Sequence, residues 1–257
     1  MHRRPVLPPA MRVRLSRIGT LAARIATIAL PNRCALCGNL SHPAICAVCD
    51  AAYWNEARVR CVVCAAPLAP GRSRRAAGYR CDACRADAPP FDATLALADY
   101  RAPVDTLARA LKFHARLALG AEFAGRLARL VDDAHGARHG FDVVAPVPLA
   151  RERLAARGYN QAWAIARPLA RRLGVRASAT LLVRVARTAP QSRLAVRARR
   201  DNVASAFAVA HDVAGRHVAL VDDVMTSGAT LAAAAQALKA AGARRVTNLV
   251  ALRTAKD

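Results

Sequence analysis

Val218-Ala-Leu-Val-Asp-Asp-Val-Met-Thr-Ser-Gly-Ala-Thr-Leu231 is the stretch from which the rest of the chain can be read. An apolar run ends at two adjacent acids, Asp222 and Asp223. A loop of small residues follows (Thr226, Ser227, Gly228, Ala229, Thr230) and leads into a helix-forming stretch, Leu231 to Ala241. Strand, acid pair, small loop and helix N-terminus together suit a phosphorylated sugar. Loop N–H groups and the positive end of a helix dipole attract phosphate. Ionised carboxylates only accept hydrogen bonds, so the two acids match the vicinal hydroxyls of a ribose. The loop must be small, because a bulky side chain would hold the phosphate off the backbone. The same residues would also make a buried strand followed by a Ser/Thr-capped helix, and the two roles are compatible.

Around this stretch the sequence alternates between strand and helix signals. Leu95–Tyr100, Phe141–Pro146, His217–Asp222 and Val246–Leu252 read as strands. Pro103–Phe113, Leu117–Asp132, Gln161–Leu173 (despite Pro168) and Leu231–Ala241 read as helices. Val104, Leu107, Ala108 and Leu111 recur at helical spacing. Strands separated by helices predict an α/β fold with a mostly parallel sheet and ligands at the carboxyl ends of its strands. The Asp222–Thr230 loop falls at such an end, as does the Pro146-Val-Pro-Leu149 turn.

All eight cysteines fall between residues 34 and 84 as four Cys-x-x-Cys pairs: Cys34/Cys37, Cys46/Cys49, Cys61/Cys64 and Cys81/Cys84. A two-residue gap lets both thiolates of one turn face a single tetrahedral ion, and two such turns complete a four-cysteine zinc site. Two structural zinc ions are expected, with four thiolates on each leaving no open position for substrate. The simplest pairing is sequential, with Cys34, Cys37, Cys46 and Cys49 on one ion and Cys61, Cys64, Cys81 and Cys84 on the other, and an interleaved pairing also satisfies the spacing. Disulfides are the competing use, but a chain with no convincing secretory signal is expected in a reducing compartment. Gly38 fits a tight metal-binding turn. The predicted organisation is a basic extension over 1–30, a small Cys-rich double zinc ribbon over 31–90 and the α/β domain over 91–257.

Lys and Arg together number 40 against 17 Asp and Glu, a formal charge of +23 over 257 residues. Such an excess attracts polyanions, nucleic acid or anionic membrane. A genome-wide bias toward Ala and Arg would give the same number with arginines on solvated faces, and aromatics are only 4%, leaving no obvious extended base-stacking platform. Residues 65–80 form a basic, Pro/Gly-containing finger that suits either a phosphate backbone or solvent. No apolar run approaches the ~20 residues of a membrane span. Leu21–Leu30 loosely mimics a signal peptide, but it contains Arg24 and no cleavage site clearly follows. A cytoplasmic location is expected.

The Asp222–Thr230 segment resembles the phosphoribosyl pyrophosphate (PRPP) signature of type I phosphoribosyltransferases. Further blocks extend the likeness: Pro146–Leu149, Arg153, Arg157-Gly-Tyr-Asn-Gln161, then Arg184, Thr188, Gln191, Leu194, Arg199, Asn202 and Phe207. With the four cysteine pairs in front, the order from about Pro31 onward is similar to the competence protein F family. The resemblance implies a double zinc ribbon ahead of a phosphoribosyltransferase-like domain, and a role in DNA uptake in which single-stranded DNA is handled. It implies Asp222 and Asp223 on the ribose hydroxyls, Thr226, Ser227, Gly228, Ala229 and Thr230 around the 5′-phosphate, and Arg153 and Arg157 near a pyrophosphate carried with Mg2+. Gln191, Arg199 and Asn202 would belong to a loop over the site or to an exposed linker. No base-specificity element is recognisable, so turnover is left open. The other readings are a metabolic phosphoribosyltransferase of unknown acceptor, and a scaffold whose ribbons hold a protein such as a competence helicase.

Overall fold

The computed structural model describes residues 32–54, 59–67, 78–136, 139–185 and 206–255. The basic extension, most of the 65–80 finger, and Thr188, Gln191, Leu194, Arg199 and Asn202 lie outside the described residues. The chain divides into two compact units, Met1–Ala52 and Tyr53–Asp257.

In the first unit, β1 (Asn32–Arg33) pairs antiparallel with β2 (Leu40–Ser41). The turn between them is closed by the Gly38 N–H on the Cys34 carbonyl at 2.9 Å, with Gly38 at φ 76°. That positive φ is why a glycine stands there. Helix α1 (Ala47–Tyr53) follows and ends at the boundary between the units.

The second unit is built on a five-stranded sheet of order β3-β9-β8-β4-β5, with every neighbouring pair parallel. Its strands are β3 (Ala93–Asp99), β4 (Val143–Pro146), β5 (Arg176–Ala177), β8 (His217–Met225) and β9 (Arg245–Arg253). A short antiparallel ribbon pairs β6 (Leu182–Arg184) with β7 (Phe207–Val209). The helices are α2 (Asp82–Ala86), α3 (Asp105–Phe113), α4 (Ala118–His135), α5 (Arg151–Arg157), α6 (Gln161–Leu173) and α7 (Ala229–Ala240). The predicted α/β class with a mostly parallel sheet is thus the observed one.

His217 through Val221 are buried without interruption, as are Val143–Pro146, because a parallel sheet is covered on both faces. Leu231, Ala233, Ala234, Ala235 and Leu238 of α7 share one apolar cluster with Val218, Leu220, Val246 and Val250. Helices α4 and α6 pack on each other and, through α6, against β4 and β8. Their approach is so close that a Cβ on Gly120 would lie 2.6 Å from the Ala164 carbonyl oxygen.

Two boundaries and one whole helix differ from the sequence expectation for identifiable reasons. Strand β8 runs past the acids to Met225 because its ladder with β9 continues to Met225↔Arg253. Helix α7 starts two residues early, at Ala229, because Gly228 at φ 85° turns the chain and its carbonyl accepts from Ala232 N–H at 2.8 Å. Helix α5 was not anticipated: it buries no residue, so it has no apolar stripe to betray it.

Candidate functional site

Strands β4 and β8 lie side by side, with Pro146 opposite Val221. From β4 the chain proceeds to β5 on one side, and from β8 to β9 on the other. The gap between β4 and β8 is therefore the topological switch point, where an open parallel sheet leaves a crevice at its carboxyl edge. The Val147–Leu149 turn and the Asp222–Thr230 segment flank this crevice. Val147, Pro148, Leu149, Arg153, Asp222, Asp223, Thr226 and Thr230 line one cavity of about 390 Å3. A smaller recess of about 40 Å3 sits in the loop itself, lined by Asp222 and Val224 through Leu231. Ala229 N–H points to the Ser227 hydroxyl at 3.3 Å, at the positive end of α7.

Asp223 is buried, and its Oδ1 accepts from Gln161 Nε2 at 3.4 Å while its Oδ2 has no hydrogen-bond partner. Asp222 Oδ1 accepts from the Asp223 N–H at 2.9 Å. Burial, reinforced by the charge of Asp223, holds the Asp222 carboxyl well above the usual carboxylate range. Two carboxylates thus crowd one crevice, with a buried oxygen in want of a donor or cation.

The Arg157–Gln161 block frames this crevice residue by residue. Arg157 donates to Gln161 Oε1, which leaves the Gln161 amide to face Asp223. Gly158, at φ 78°, ends α5. Tyr159 donates its hydroxyl to the Leu111 carbonyl, tying the block to α3. Asn160 caps α6, accepting from Ala162 N–H at 2.8 Å and Trp163 N–H at 3.3 Å, and donates Nδ2 to the Val147 carbonyl at 3.0 Å. One asparagine therefore starts a helix and fixes the turn across the crevice. Arg153 lines the inner cavity, whereas Arg157 lines a recess outside it.

The cysteines gather as two groups in sequential order: Cys34, Cys37, Cys46 and Cys49, then Cys61, Cys64, Cys81 and Cys84. Within each group all sulfurs lie within 4.8 Å of one another. Cys37 and Cys46 sulfurs are 3.8 Å apart, and Cys64 and Cys81 sulfurs 3.6 Å apart. A tetrahedron with Zn–S of about 2.3 Å has edges of about 3.8 Å, so both groups fit structural zinc. Backbone N–H groups of Cys46 and Cys81 point at Cys34 and Cys61 sulfurs, each at 3.3 Å. Burial raises these two thiols, but donors from the knuckle backbone bring Cys34 down to about 6 and Cys61 to about 7. The thiolate is the form that binds metal.

The second cysteine group belongs to the sheet's own core. Cys61, Cys64 and Cys84 share its apolar cluster. Arg60 pairs with buried Asp99 of β3 at 2.8 Å. Arg253, wholly buried at the end of β9, donates Nε to the Cys64 carbonyl at 3.0 Å and Nη1 to the Met225 carbonyl at 3.1 Å. Neither Arg253 nor the roles of Tyr159 and Asn160 were read from the sequence. Only the adjacency of Arg253 to an apolar strand, Val246–Leu252, could have hinted at its burial.

The Phosphoribosyl transferase domain family matches residues 160–256. DNA utilization protein YhgH of Salmonella typhimurium is 34% identical over 228 residues, covering 85% of this chain and 96% of that protein. Competence protein F of Haemophilus influenzae is 31% identical over 171 residues, 65% of this chain and 75% of that one. The chain belongs to the competence protein F family. A ribose-phosphate pyrophosphokinase of Pasteurella multocida adds a local likeness, 53% identity over 47 residues, 18% of this chain and 15% of that protein. In this member of the family the matched domain holds the acid pair, the α7 N-terminus and the Asn160–Gln161 end of the framing block. No described helix is long and apolar enough to cross a membrane.

Proposed function

We propose that this protein binds PRPP, or a related ribose phosphate, in the Asp222–Thr230 crevice and serves the handling of incoming single-stranded DNA in the cytoplasm. The observation that carries the first half is the meeting of an acid pair, a glycine-led helix N-terminus and the Val147–Leu149 turn in one cavity at the switch point. Asp222 and Asp223 take the ribose hydroxyls, whose O–H groups satisfy the unpartnered Asp223 oxygen. The backbone of Thr226–Thr230, with its hydroxyls, takes the 5′-phosphate. Arg153 faces the pyrophosphate.

Asp222 and Asp223 would also suit Mg2+, which would supply positive charge against a pyrophosphate. The residues of the chain do the positioning. Gln161 orients Asp223, Asn160 holds the Val147 carbonyl, and Gly228 brings the loop backbone into reach. Support for the second half is the +23 charge and the names of the relatives, one for DNA utilization and one for competence.

A thermal-shift titration with PRPP and Mg2+ tests the ribose-phosphate half. Wild type should be stabilised by about 2.7 kcal/mol at a hundred times Kd, and the Asp222→Asn/Asp223→Asn protein should not respond. An equal response in both would refute the assignment of the acids. Pyrophosphate release with a base acceptor would instead identify a metabolic transferase.

A further inference from the structure

Four of the five phenylalanines (Phe91, Phe123, Phe141 and Phe207) are at most 7% exposed, but Phe113 is 65% exposed. Phe113 alone of these phenylalanines stands in water, at the end of α3. Cations surround it. Lys112 Nζ lies 5.3 Å from the ring centroid and Arg157 Cζ 5.8 Å. Phe113 forms the wall of a recess of about 340 Å3 with Lys112, Arg153, Arg157 and Tyr159, and no acid lines it. Lys112 and Arg153 form no ion pair among the described residues, although Lys112 lies near enough to Asp222 to act on its charge.

This recess adjoins the crevice. Lys112, Phe113 and Arg153 line both spaces, and Arg109 adds a further cation on the inner side. A basic track therefore runs outward from the acid pair to an exposed aromatic face. Phosphates spaced along a strand match such a track by charge. A flat apolar ring matches a base whose face is free, which a single strand offers and a duplex does not. Tyr159, which lines the same recess, donates to the Leu111 carbonyl two residues before Phe113 on α3.

We infer that Phe113, flanked by Lys112, Arg153 and Arg157, is a stacking platform for a base of single-stranded nucleic acid beside the ribose-phosphate crevice. The inference rests on the DNA-handling reading above and adds the place of contact. The track brings the strand against the crevice mouth, where a bound ribose phosphate and the strand share Lys112 and Arg153.

The test is fluorescence anisotropy of the full chain with a labelled oligothymidylate of about 16 nucleotides. Phe113→Ala should weaken binding about tenfold, the loss of one stacked base, and Phe113→Trp should retain it. Lys112→Gln and Arg153→Gln should each lower the slope of log affinity against log salt by about 0.7. Circular dichroism checks that each variant is folded; Phe113 and Arg153 are exposed and Lys112 half-buried, so unchanged spectra are expected. If wild type binds the strand and Phe113→Ala binds equally, the platform is elsewhere while DNA handling stands. If wild type does not bind a single strand at low salt, both ideas fall. Displacement of the strand by thymidine monophosphate at equal concentration would mark a mononucleotide pocket and overturn the inference.

Discussion

The Arg253 guanidinium donates Nε–H to the Cys64 carbonyl at 3.0 Å, so one buried side chain joins the second cysteine group to the carboxyl end of the sheet. The same guanidinium donates Nη1 to the carbonyls of Met225, Thr226 and Thr254. Met225 and Thr226 are where β8 becomes the small loop. A cysteine knuckle and a phosphate-type loop are thus fastened to one cation.

Removing that cation leaves several buried carbonyls without a donor. Arg253→Met should destabilise the protein by about 3 kcal/mol or more, read from a denaturant midpoint. Arg253→Lys, with one charge and no planar fork, should recover only part of it. In either variant the PRPP thermal shift should shrink more than stability alone dictates, because the loop loses its anchor. A full shift in a folded Arg253→Lys protein would show that the loop does not depend on this residue.

Stripping zinc should act on the sheet unit through the second cysteine group. Cys61, Cys64 and Cys84 are inside its apolar cluster, so loss of the ion leaves crowded buried thiols at the Arg253 anchor. Chelation should lower Tm by about 10 °C, a loss of several kcal/mol at roughly 2–4 °C per kcal/mol for a unit of this size. Cys64→Ser should reproduce the fall. Cys37→Ser, in the other compact unit, should leave the transition of the sheet unit unchanged.

Asp222→Asn should separate binding from stability. Burial and the Asp223 charge raise the Asp222 carboxyl above its usual range in the folded state. Such an acid penalises the fold once pH exceeds its folded pKa, and the penalty disappears below the unfolded value. The asparagine protein should therefore have the higher Tm at neutral pH without ligand, with the gain vanishing near pH 4. It should also lose PRPP binding. A lower Tm at neutral pH would show that the carboxylate is a net stabiliser of the empty crevice.

His217 sets a pH dependence of the opposite kind. Burial and the nearby Arg245 push its imidazole down to about 4 from 6.5. The Gly140 carbonyl, 3.1 Å away, can only accept, so Nδ1 carries the proton and Nε2 accepts from the Thr247 hydroxyl at 2.9 Å. Below pH 6.5 the unfolded chain takes up a proton that the folded one refuses, so stability falls between pH 6.5 and about 4. The loss is on the order of 3 kcal/mol. His217→Asn should lack this slope in denaturant melts across that range. Equal slopes would assign the pH response to other groups.

Much of the fold was legible because its signals are local. The four central strands and four long helices each carry an apolar run or a 3.6-residue stripe. Gln161–Leu173 contains Pro168 and still runs as one helix, with Ile165, Ala166, Leu169 and Ala170 on its buried stripe. Helix α5 and strands β5, β6 and β7 were not legible. The helix buries nothing and the strands run two or three residues, too short for any period to show. The blocks of the candidate crevice were visible as residue types, yet their partners lie 13 to 62 residues away, as Asn160 with Val147 and Gln161 with Asp223.

By itself the sequence determined the α/β class, the four Cys-x-x-Cys pairs and the acid-pair loop, since each is written in contiguous residues at fixed spacing. The tertiary structure alone decided which cysteines share a site, that the second set is built into the sheet's core, and that Arg253 is buried rather than solvated. It also brought Phe113 to the mouth of the crevice. In a chain with 40 basic residues, spacing cannot distinguish one arginine from another. Burial can, because a guanidinium removed from water must find carbonyl acceptors, and only the folded sheet brings Cys64, Met225 and Arg253 together.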